Sequence, residues 1–265
     1  MAHRFIMNAG LGNIVKIECH EALPSTVELA KSYAKLGYPD KYIVFAQGQT
    51  KYDSLGRPLK SGEVEEGVYL SCILRPSIFP SQAGFLGALG AVAMLSALEE
   101  HTTKELGIGW VSDIFCEGRK IGCSSAEGKL DSFSSYEYVI VSFSVKLKND
   151  DFPPRLNDLI KKVFESDSSS ISMIIAKNIL TKFFELFPAS LKSPEKLMEA
   201  YKQRFILRGV RISYISQTGK RRLCRVISPD AGSGALIVET SSGKTKILTN
   251  PKRVIIPNRV KPKKQ

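Results

Sequence analysis

The stretch of sequence that most constrains the fold runs from Ala83 to Leu98, where sixteen consecutive residues carry no charge. A helix that spans a membrane needs about 20 apolar residues. This segment is shorter, and we predict a helix buried inside a protein core. Gly84, Gly87 and Gly90 recur at every third position and would let a neighbouring element pack closely. A chain of 265 residues with 43% hydrophobic content can enclose such a helix.

The segments around this helix alternate between strand and helix patterns. Short apolar runs typical of strands lie at Ile14–Cys19, Tyr42–Ala46, Val68–Leu74 and Tyr138–Leu147. Helices are predicted at Leu29–Leu36, Pro154–Phe164, Ile171–Leu186 and Pro194–Arg204, and polar loops at Lys51–Glu66 and Ser124–Ser135. Ser25 and Glu28 have the spacing of a capping box at the start of the first helix. The pattern predicts an α+β fold, a mixed sheet with packing helices.

The texture of the sequence changes after Gly209. Short β runs separated by turn residues lie at Val210–Ser216, Leu223–Ile227, Ala235–Glu239, Thr245–Leu248 and Val254–Ile256. They predict a small C-terminal β-barrel with a basic tail, so we divide the chain into domains at 1–208 and 209–265. Residues 209–265 hold thirteen Lys and Arg against two acidic residues, a net charge of +11 within a total of +12. A segment this basic is expected to attract an acidic partner.

The cysteines and histidines indicate the compartment and argue against a metal site. Five cysteines are spread singly, there is no CxxC pair, and only three histidines occur. A structural zinc site is therefore not expected. Unpaired cysteines in apolar runs favour a reducing compartment. No signal segment opens the chain, and we predict a cytoplasmic protein without membrane attachment.

The densest group of candidate site residues is the segment Gly109–Cys123, GWVSDIFCEGRKIGC. We predict a strand that ends near Trp110, a turn through Glu117 and Gly118, and a second strand that enters at Lys120. An aromatic ring, a carboxylate (Asp113) and a lysine would then face one another across a hairpin. Asp113 has two open interpretations, as a ligand contact and as a structural support of the hairpin.

The order of these elements and several motifs resemble the biotin protein ligases, within the biotin/lipoate ligase family. Pro24-Ser25-Thr26 falls where the family has Ser-Thr-Asn, and Gln47-Gly48-Gln49-Thr50 falls at its glutamine-bearing strand end. Leu55-Gly56-Arg57 resembles the end of its glycine-arginine loop, and Val68–Pro76 resembles the strand that follows. Trp110 and Asp113 fall in its Lys-Trp-Pro-Asn-Asp motif, and Arg119-Lys120-Ile121-Gly122 matches its Arg-Lys strand. The family's optional N-terminal DNA-binding domain is not expected, since about thirteen residues precede the first strand.

The resemblance implies an ATP-dependent, AMP-forming ligase. It would join biotin to ATP as biotinyl-adenylate and pass the biotin to a lysine of a carboxylase acceptor domain. The implied cofactors are ATP, biotin and Mg, and the implied partner is an acidic acceptor domain; a homodimer is compatible with the family. The implied catalytic residues are Lys120 and Asp113. The implied ligand-binding residues are Ser25, Thr26, Gln49, Arg57, Trp110, Arg119, Ile121 and Gly122.

The departures from the family fall at charged positions. Lys51-Tyr52-Asp53-Ser54 replaces the glycine-arginine loop, Gly109 stands where the family has its catalytic lysine, and Ser142-Phe143-Ser144 replaces a Gly-x-Gly strand. Removing one oxyanion-type donor can lower a rate by about 10²–10³. Lys51, Arg57, Lys60 and Lys120 are the cations that could substitute.

Three functions therefore stay open. The first is a divergent biotin ligase, with lipoate as another acyl group. The second is a catalytically impaired ligase fold that binds a ligand or an acceptor. The third is an adaptor whose basic C-terminal part binds nucleic acid. We do not favour the third, because Tyr214 is the single aromatic residue after Gly209 and base stacking needs aromatic platforms.

Overall fold

The computed structural model describes most of the chain. The described residues are 3–5, 16–53, 57–78, 80, 84–102, 104–146, 171–230, 234–250, 253–257 and 259–260. The predicted helix Pro154–Phe164, the residues Leu55 and Gly56, and the basic tail after Val260 lie outside them.

An eight-stranded mixed sheet forms the larger part of the structure. Its strands are β1 (His3–Phe5), β2 (Lys16–His20), β3 (Tyr42–Gln49), β4 (Glu65–Leu74), β5 (Leu106–Ile108), β6 (Asp113–Cys116), β7 (Arg119–Leu130) and β8 (Tyr136–Lys146). They lie in the order β1-β2-β3-β4-β8-β7-β6-β5. The β2–β3 pair is parallel and the other ladders are antiparallel. The predicted mixed α+β architecture is confirmed.

The described residues form four helices beside this sheet: α1 (Thr26–Lys35), α2 (Gly84–Glu99), α3 (Ile171–Lys192) and α4 (Pro194–Gln203). The two faces of the sheet are buried separately because side chains alternate along each strand. On one face Ile43, Phe45 and Phe143 join a large core with α2, α3 and α4. On the other face Tyr42 and Val44 join a smaller core with α1.

Helix α2 is buried, as its uncharged sequence predicts. Leu86, Leu89, Ala91, Ala93 and Met94 have no or almost no exposed surface. A Cβ atom on Gly90 would lie 2.6 Å from Ser124 Oγ, so this glycine lets α2 approach β7 closely. Among the described residues, no helix combines the length and the apolar character needed to cross a bilayer.

The C-terminal part forms a second sheet of five antiparallel strands. These are β9 (Arg211–Ile215), β10 (Arg221–Pro229), β11 (Leu236–Thr240), β12 (Thr245–Leu248) and β13 (Val254–Ile255), in the order β12-β11-β10-β9-β13. All five strands fall where the sequence predicts them. In the described part of the chain this sheet is open, so the predicted closure into a barrel is not confirmed.

One loop prediction is wrong. Ser124–Ser135 was expected to be a serine-rich loop, but residues up to Leu130 belong to β7 and pair with β8 along their length. Serine favours loops because its hydroxyl can bond the nearby backbone. Here Ser125 Oγ instead lies 2.7 Å from Ser142 Oγ on the neighbouring strand. The turn is confined to Asp131–Ser135, where Asp131 Oδ1 accepts hydrogen bonds from the backbone N–H of Phe133 and Ser135.

Candidate functional site

The predicted hairpin residues gather around a cavity of about 640 Å³, called here the larger cavity. After β5 the chain bends through Gly109–Ser112, enters β6 at Asp113, turns at Glu117 and Gly118, and returns as β7. Trp110, Asp113 and Lys120 all line this cavity. The strand before Trp110 ends two residues earlier than expected, so the indole sits in the bend rather than in the ladder.

Asp113 and Lys120 form an ion pair in the wall of the larger cavity. The distance from Lys120 Nζ to Asp113 Oδ1 is 2.8 Å, and the two side chains are 15% and 20% exposed. Burial raises the pKa of the Asp113 carboxyl, and Lys120 counteracts this only in part, so the pKa lies above its usual value. The pair therefore places one lysine ammonium group in a partly desolvated wall.

Trp110 joins the large sheet to the C-terminal part of the chain. The indole is 4% exposed, and its Nε1–H donates a hydrogen bond of 2.8 Å to the carbonyl of Gly234. Val254–Pro257 complete the same cavity wall, and the N–H of Val260 donates to the carbonyl of Gly118 at 2.6 Å. The larger cavity is thus lined by residues from both parts of the chain.

Tyr201 on α4 contacts the backbone of the bend at Gly109–Ser112 and holds it in place. This residue was not identified from the sequence. Its hydroxyl lies 3.1 Å from the carbonyl oxygen of Gly109 and 2.7 Å from that of Val111. The one hydroxyl hydrogen can be donated to only one of these carbonyls at a time. Burial raises the pKa of this phenol, so it stays protonated as a donor.

A second cavity of about 370 Å³, the smaller cavity, lies between the start of α1 and the middle of the sheet. Its lining is rich in hydroxyl groups, from Ser25, Thr26, Tyr52, Tyr69, Ser125, Ser142 and Ser144. Cys123 and Ser125 of β7 line both cavities. The two cavities therefore adjoin the same part of β7, at the residues on either side of Ser124.

Three predicted ligand-binding residues hold the local structure of the smaller cavity. Ser25 Oγ accepts a hydrogen bond from the N–H of Glu28, which is the predicted cap of α1. Gln49 Oε1 accepts from the N–H of Thr26 at 2.9 Å, and Gln49 Nε2 donates to the carbonyl of Tyr52. These three residues line the cavity, but part of their hydrogen-bonding capacity is used within the protein.

The acidic residues of the smaller cavity are neutralised by basic neighbours. Glu127 pairs with Lys31, which also lines the cavity. Glu28 is 2.7 Å from Lys51 Nζ. Buried Asp53 accepts from the backbone N–H of Arg57 at 2.7 Å and from its guanidinium at 2.6 Å. The predicted ligand residue Arg57 is thus engaged in a loop ion pair, with 59% of its side chain exposed.

Three other predicted ligand residues lie outside both cavity linings. Arg119 is exposed, and its backbone forms an isolated antiparallel β-bridge with the backbone of Arg259. Ile121 is 1% exposed in the large core. A Cβ on Gly122 would lie 2.1 Å from the carbonyl oxygen of Ser144, so this glycine permits close strand contact. Of the four cations considered as substitutes (Lys51, Arg57, Lys60 and Lys120), the described lining of the larger cavity includes Lys120.

Comparison with known proteins relates this fold and sequence to one family. No protein-family model matches the chain. The "Bifunctional ligase/repressor BirA" of Bacillus subtilis (strain 168) is 28% identical over 155 residues, covering 57% of this chain and 47% of that protein. The chain spans about half the length of the curated relatives it matches.

Two solved structures extend the likeness to most of the chain. The biotin protein ligase from Aquifex aeolicus has a TM-score of 0.63 at 16% identity and covers 90% of this chain and 96% of that one. A biotin protein ligase-like protein of unknown function from Silicibacter has a TM-score of 0.64 at 10% identity, with 93% and 96% covered. The chain therefore has the fold of the biotin protein ligases and resembles the Bacillus subtilis ligase/repressor in sequence.

The resemblance places Gly109 where the biotin protein ligases have a lysine, and here the packed ring of Phe115 leaves no room for a side chain. A Cβ atom on Gly109 would lie 2.6 Å from Cε2 of the Phe115 ring and 3.3 Å from Cβ of Asp113. Phe115 is 1% exposed, so its ring has little room to move away. The glycine at position 109 therefore lets the Phe115 ring pack against the backbone. The ammonium group in the wall of the larger cavity comes from Lys120 on β7.

We expect that restoring the family lysine by Gly109→Lys destabilises the protein by about 1–3 kcal/mol, because the new Cβ collides with the Phe115 ring. Urea unfolding measures this free energy. Phe115→Leu removes part of the ring, so the double variant Gly109→Lys/Phe115→Leu should lose less stability than the sum of the two single variants. Strict additivity would show that Phe115 is not the obstacle.

Two serines of β8, which the resemblance places at the ligases' glycine-rich strand, face the smaller cavity. Ser142 and Ser144 lie on β8, and their hydroxyls contact Ser125 Oγ at 2.7 Å and Cys123 Sγ at 3.4 Å. Thr26 Oγ1 accepts from Ser71 Oγ at 2.9 Å. The two serines can be read from the sequence, but the pairing of their hydroxyls depends on the β7–β8 register.

Proposed function

We propose that this chain is an ATP-dependent ligase that activates a small carboxylic acid, biotin in the first place, as an acyl-adenylate and passes it to a lysine of an acceptor domain. The observation that carries the proposal is that two neighbouring cavities share lining residues on β7. Cys123 and Ser125 line both, and Lys120 lies in the larger one. Joining two substrates requires that their reactive ends meet, and adjoining cavities provide this proximity.

The larger cavity suits a nucleotide. Its volume of about 640 Å³ lies within the usual range of ligand sites, about 300–1,000 Å³. Trp110 and Val254–Pro257 offer apolar surface for a base, and Lys120 offers a positive charge for phosphate oxygens. The Aquifex aeolicus ligase has been solved in complex with biotin and ATP, which supports assigning a nucleotide and an acid to this fold.

The smaller cavity suits a neutral, hydrogen-bonding group such as the ureido ring of biotin. Hydroxyl groups both donate and accept hydrogen bonds, and the lining presents several of them, among them Ser25, Thr26 and Ser125. Its acidic residues Glu28, Asp53 and Glu127 are each paired with a lysine or an arginine, so the described lining offers no unpaired cation for a carboxylate. The acid group is therefore expected to point out of the smaller cavity, toward Cys123 and the larger cavity.

In the proposed mechanism Lys120 lowers the repulsion between the carboxylate and the α-phosphate. Asp113 holds the ammonium group at 2.8 Å, and Tyr201 holds the bend that carries Trp110. The partly buried position strengthens the attraction between Lys120 and both anions. Val254–Pro257 cover one side of the larger cavity and limit the access of water to the mixed anhydride from that side.

The described residues supply few ligands for a divalent metal ion bound by the protein itself. Mg²⁺ is commonly held by one or two carboxylates together with substrate phosphates. No group of three or more His, Cys, Asp or Glu side chains comes together in the described ranges, and Asp113 is engaged with Lys120. The side chains do not fit a resident Mg²⁺ site, and we assign no step of the reaction to the metal.

Calorimetry with biotin, ATP and a non-hydrolysable biotinyl-adenylate analogue tests the two cavities separately and together. We expect the analogue to bind more tightly than either substrate, because it fills both cavities. A second assay measures biotin-dependent release of pyrophosphate from MgATP. If the analogue does not bind and no pyrophosphate is released, the proposal is wrong.

A catalytically impaired binding protein is the second candidate function. The observation in its favour is that Lys51 and Arg57, in the loop that carries arginines in the ligases, pair with Glu28 and Asp53. Tight binding of the analogue without pyrophosphate release would identify this function. Either function is compatible with the proposed cytoplasmic location.

A further inference from the structure

The C-terminal sheet has one buried face and one exposed face. The buried face consists of Ile212, Tyr214, Cys224, Val226, Leu236, Val238 and Leu248. The opposite side, called here the outer face, carries four large aliphatic residues that are exposed to solvent. Leu223 is 64% exposed, Ile247 58%, Ile255 42% and Ile227 41%. Exposed aliphatic residues concentrated on one face of a sheet indicate an interaction site.

The strand register places these residues in rows across the sheet. Ser213 of β9 pairs with Leu223 on one side and with Ile255 on the other, which forms one apolar row. Ile237 pairs with Ile247, and Ile227 lies beside them at the bulge of β10, which forms a second apolar row. Neighbouring strands lie about 4.8 Å apart, so the rows extend over most of the sheet width.

A charged row lies between the two apolar rows. Arg225 pairs with Arg211 on β9 and with Glu239 on β11. Arg221, at the start of β10 and opposite Ile215, lies on the other side of the row that contains Leu223. Three arginines and one glutamate give the outer face a net positive charge within a segment of net charge +11. The complementary surface is apolar with carboxylates between its apolar residues.

The chemistry of the outer face favours a protein over a nucleic acid. Single-stranded nucleic acids bind through aromatic side chains on which bases stack. Tyr214, the aromatic residue of this segment, is 8% exposed on the buried face, with Lys246 Nζ 4.8 Å from its ring centroid. The exposed aliphatic side chains of Leu223 and Ile247 would make no favourable contact with the phosphate groups of a nucleic acid. A second copy of this chain would bring the row of Arg211 and Arg225 against a like-charged row.

One end of the outer face adjoins the candidate site. Ile255 belongs to the apolar row with Leu223 and also lines the larger cavity. A protein bound on the outer face would therefore lie beside the larger cavity. We propose that the outer face is the docking surface for an acidic acceptor domain. The identity of this partner as the acyl acceptor rests on the function proposed above.

The test compares Leu223→Asp/Ile247→Asp with the wild type and with a matched control, Leu130→Asp. Leu130 is a 43% exposed leucine on β7, outside both cavity linings. The probe is a purified acidic biotin-acceptor domain of a carboxylase, and its Kd is measured by calorimetry at two salt concentrations. We expect the double variant to bind at least about tenfold more weakly, since two carboxylates then face an acidic partner. The control should bind like the wild type, and wild-type binding should weaken with salt.

Two further measurements separate this inference from the proposed function. Pyrophosphate release without acceptor reports the first reaction step and should be equal in the double variant and the wild type. Binding of the acceptor domain by a wild type that forms no adenylate would refute the function and leave the docking surface standing. The docking surface is refuted if the wild type does not bind the acceptor, or if the double variant binds it equally well. It is also refuted if a single-stranded oligonucleotide competes for the same residues with higher affinity.

Discussion

Replacing Lys120 by methionine is expected to reduce the rate of adenylate formation by about 10²–10³, the usual loss for one electrostatic donor in an active site. Lys120 contributes its ammonium group to the wall of the larger cavity, and Lys120 Nζ lies 2.8 Å from Asp113 Oδ1. Methionine keeps most of the length of the side chain and removes its charge. The initial rate of biotin-dependent pyrophosphate release measures the effect.

The matched control for this variant is Lys129→Met on the same strand. Lys129 Nζ lies 2.5 Å from Glu137 Oε2, and its side chain is 53% exposed. It lies outside both cavity linings, so we expect an unchanged rate. Because Lys120→Met also leaves Asp113 without its partner, thermal unfolding must show that the variant is folded. An equal loss of rate in both variants, or none in Lys120→Met, would exclude Lys120 as the substituting cation.

Gly122→Ala is expected to destabilise the protein by about 3 kcal/mol, the upper part of the range for overpacking a tight interior. The added methyl group would lie 2.1 Å from the carbonyl oxygen of Ser144 and 2.9 Å from Cε of Met94. The backbone oxygen cannot rotate away without breaking the β7–β8 ladder, which pairs Gly122 with Val145. Urea unfolding followed by circular dichroism measures the change.

Gly87→Ala provides the comparison for Gly122→Ala. Gly87 lies within α2, and a Cβ there would meet only Cγ1 of Val111, at 3.3 Å. Alanine favours a helix over glycine by about 1 kcal/mol, which offsets this mild contact, so we expect little net change. If Gly122→Ala is tolerated as well as Gly87→Ala, then β7 and β8 are not as close as described.

The strands and helices were largely predictable because their signals are local. Tyr42–Ala46 and Val68–Leu74 were expected from apolar runs and lie inside β3 and β4. The five short strands after Gly209 were expected from turn residues between apolar runs. The failure at Ser124 has the opposite cause, because the partner strand β8 determines its conformation and lies far away in sequence. Local propensity cannot show such a pairing.

The candidate site was predictable where its residues are close in sequence. Asp113 and Lys120 face each other because the turn at Glu117 and Gly118 brings their strands together, and this follows from the sequence. The floor of the smaller cavity does not follow, because Ser125 meets Ser142 only through the long-range register of β7 and β8. The hydrogen bond that Gln49 Oε1 accepts from the N–H of Thr26 likewise depends on where α1 begins.

The hydrogen bond from Trp110 to Gly234 joins residues 124 positions apart, and Val254–Pro257 share a cavity wall with that indole. This arrangement has a consequence for how such a protein can evolve. An exchange of residues 209–265 between relatives by recombination would alter the shape of the larger cavity together with the fold of the exchanged part. Substitutions in either part can therefore change ligand preference, and compensating substitutions in the other part must be inherited with them.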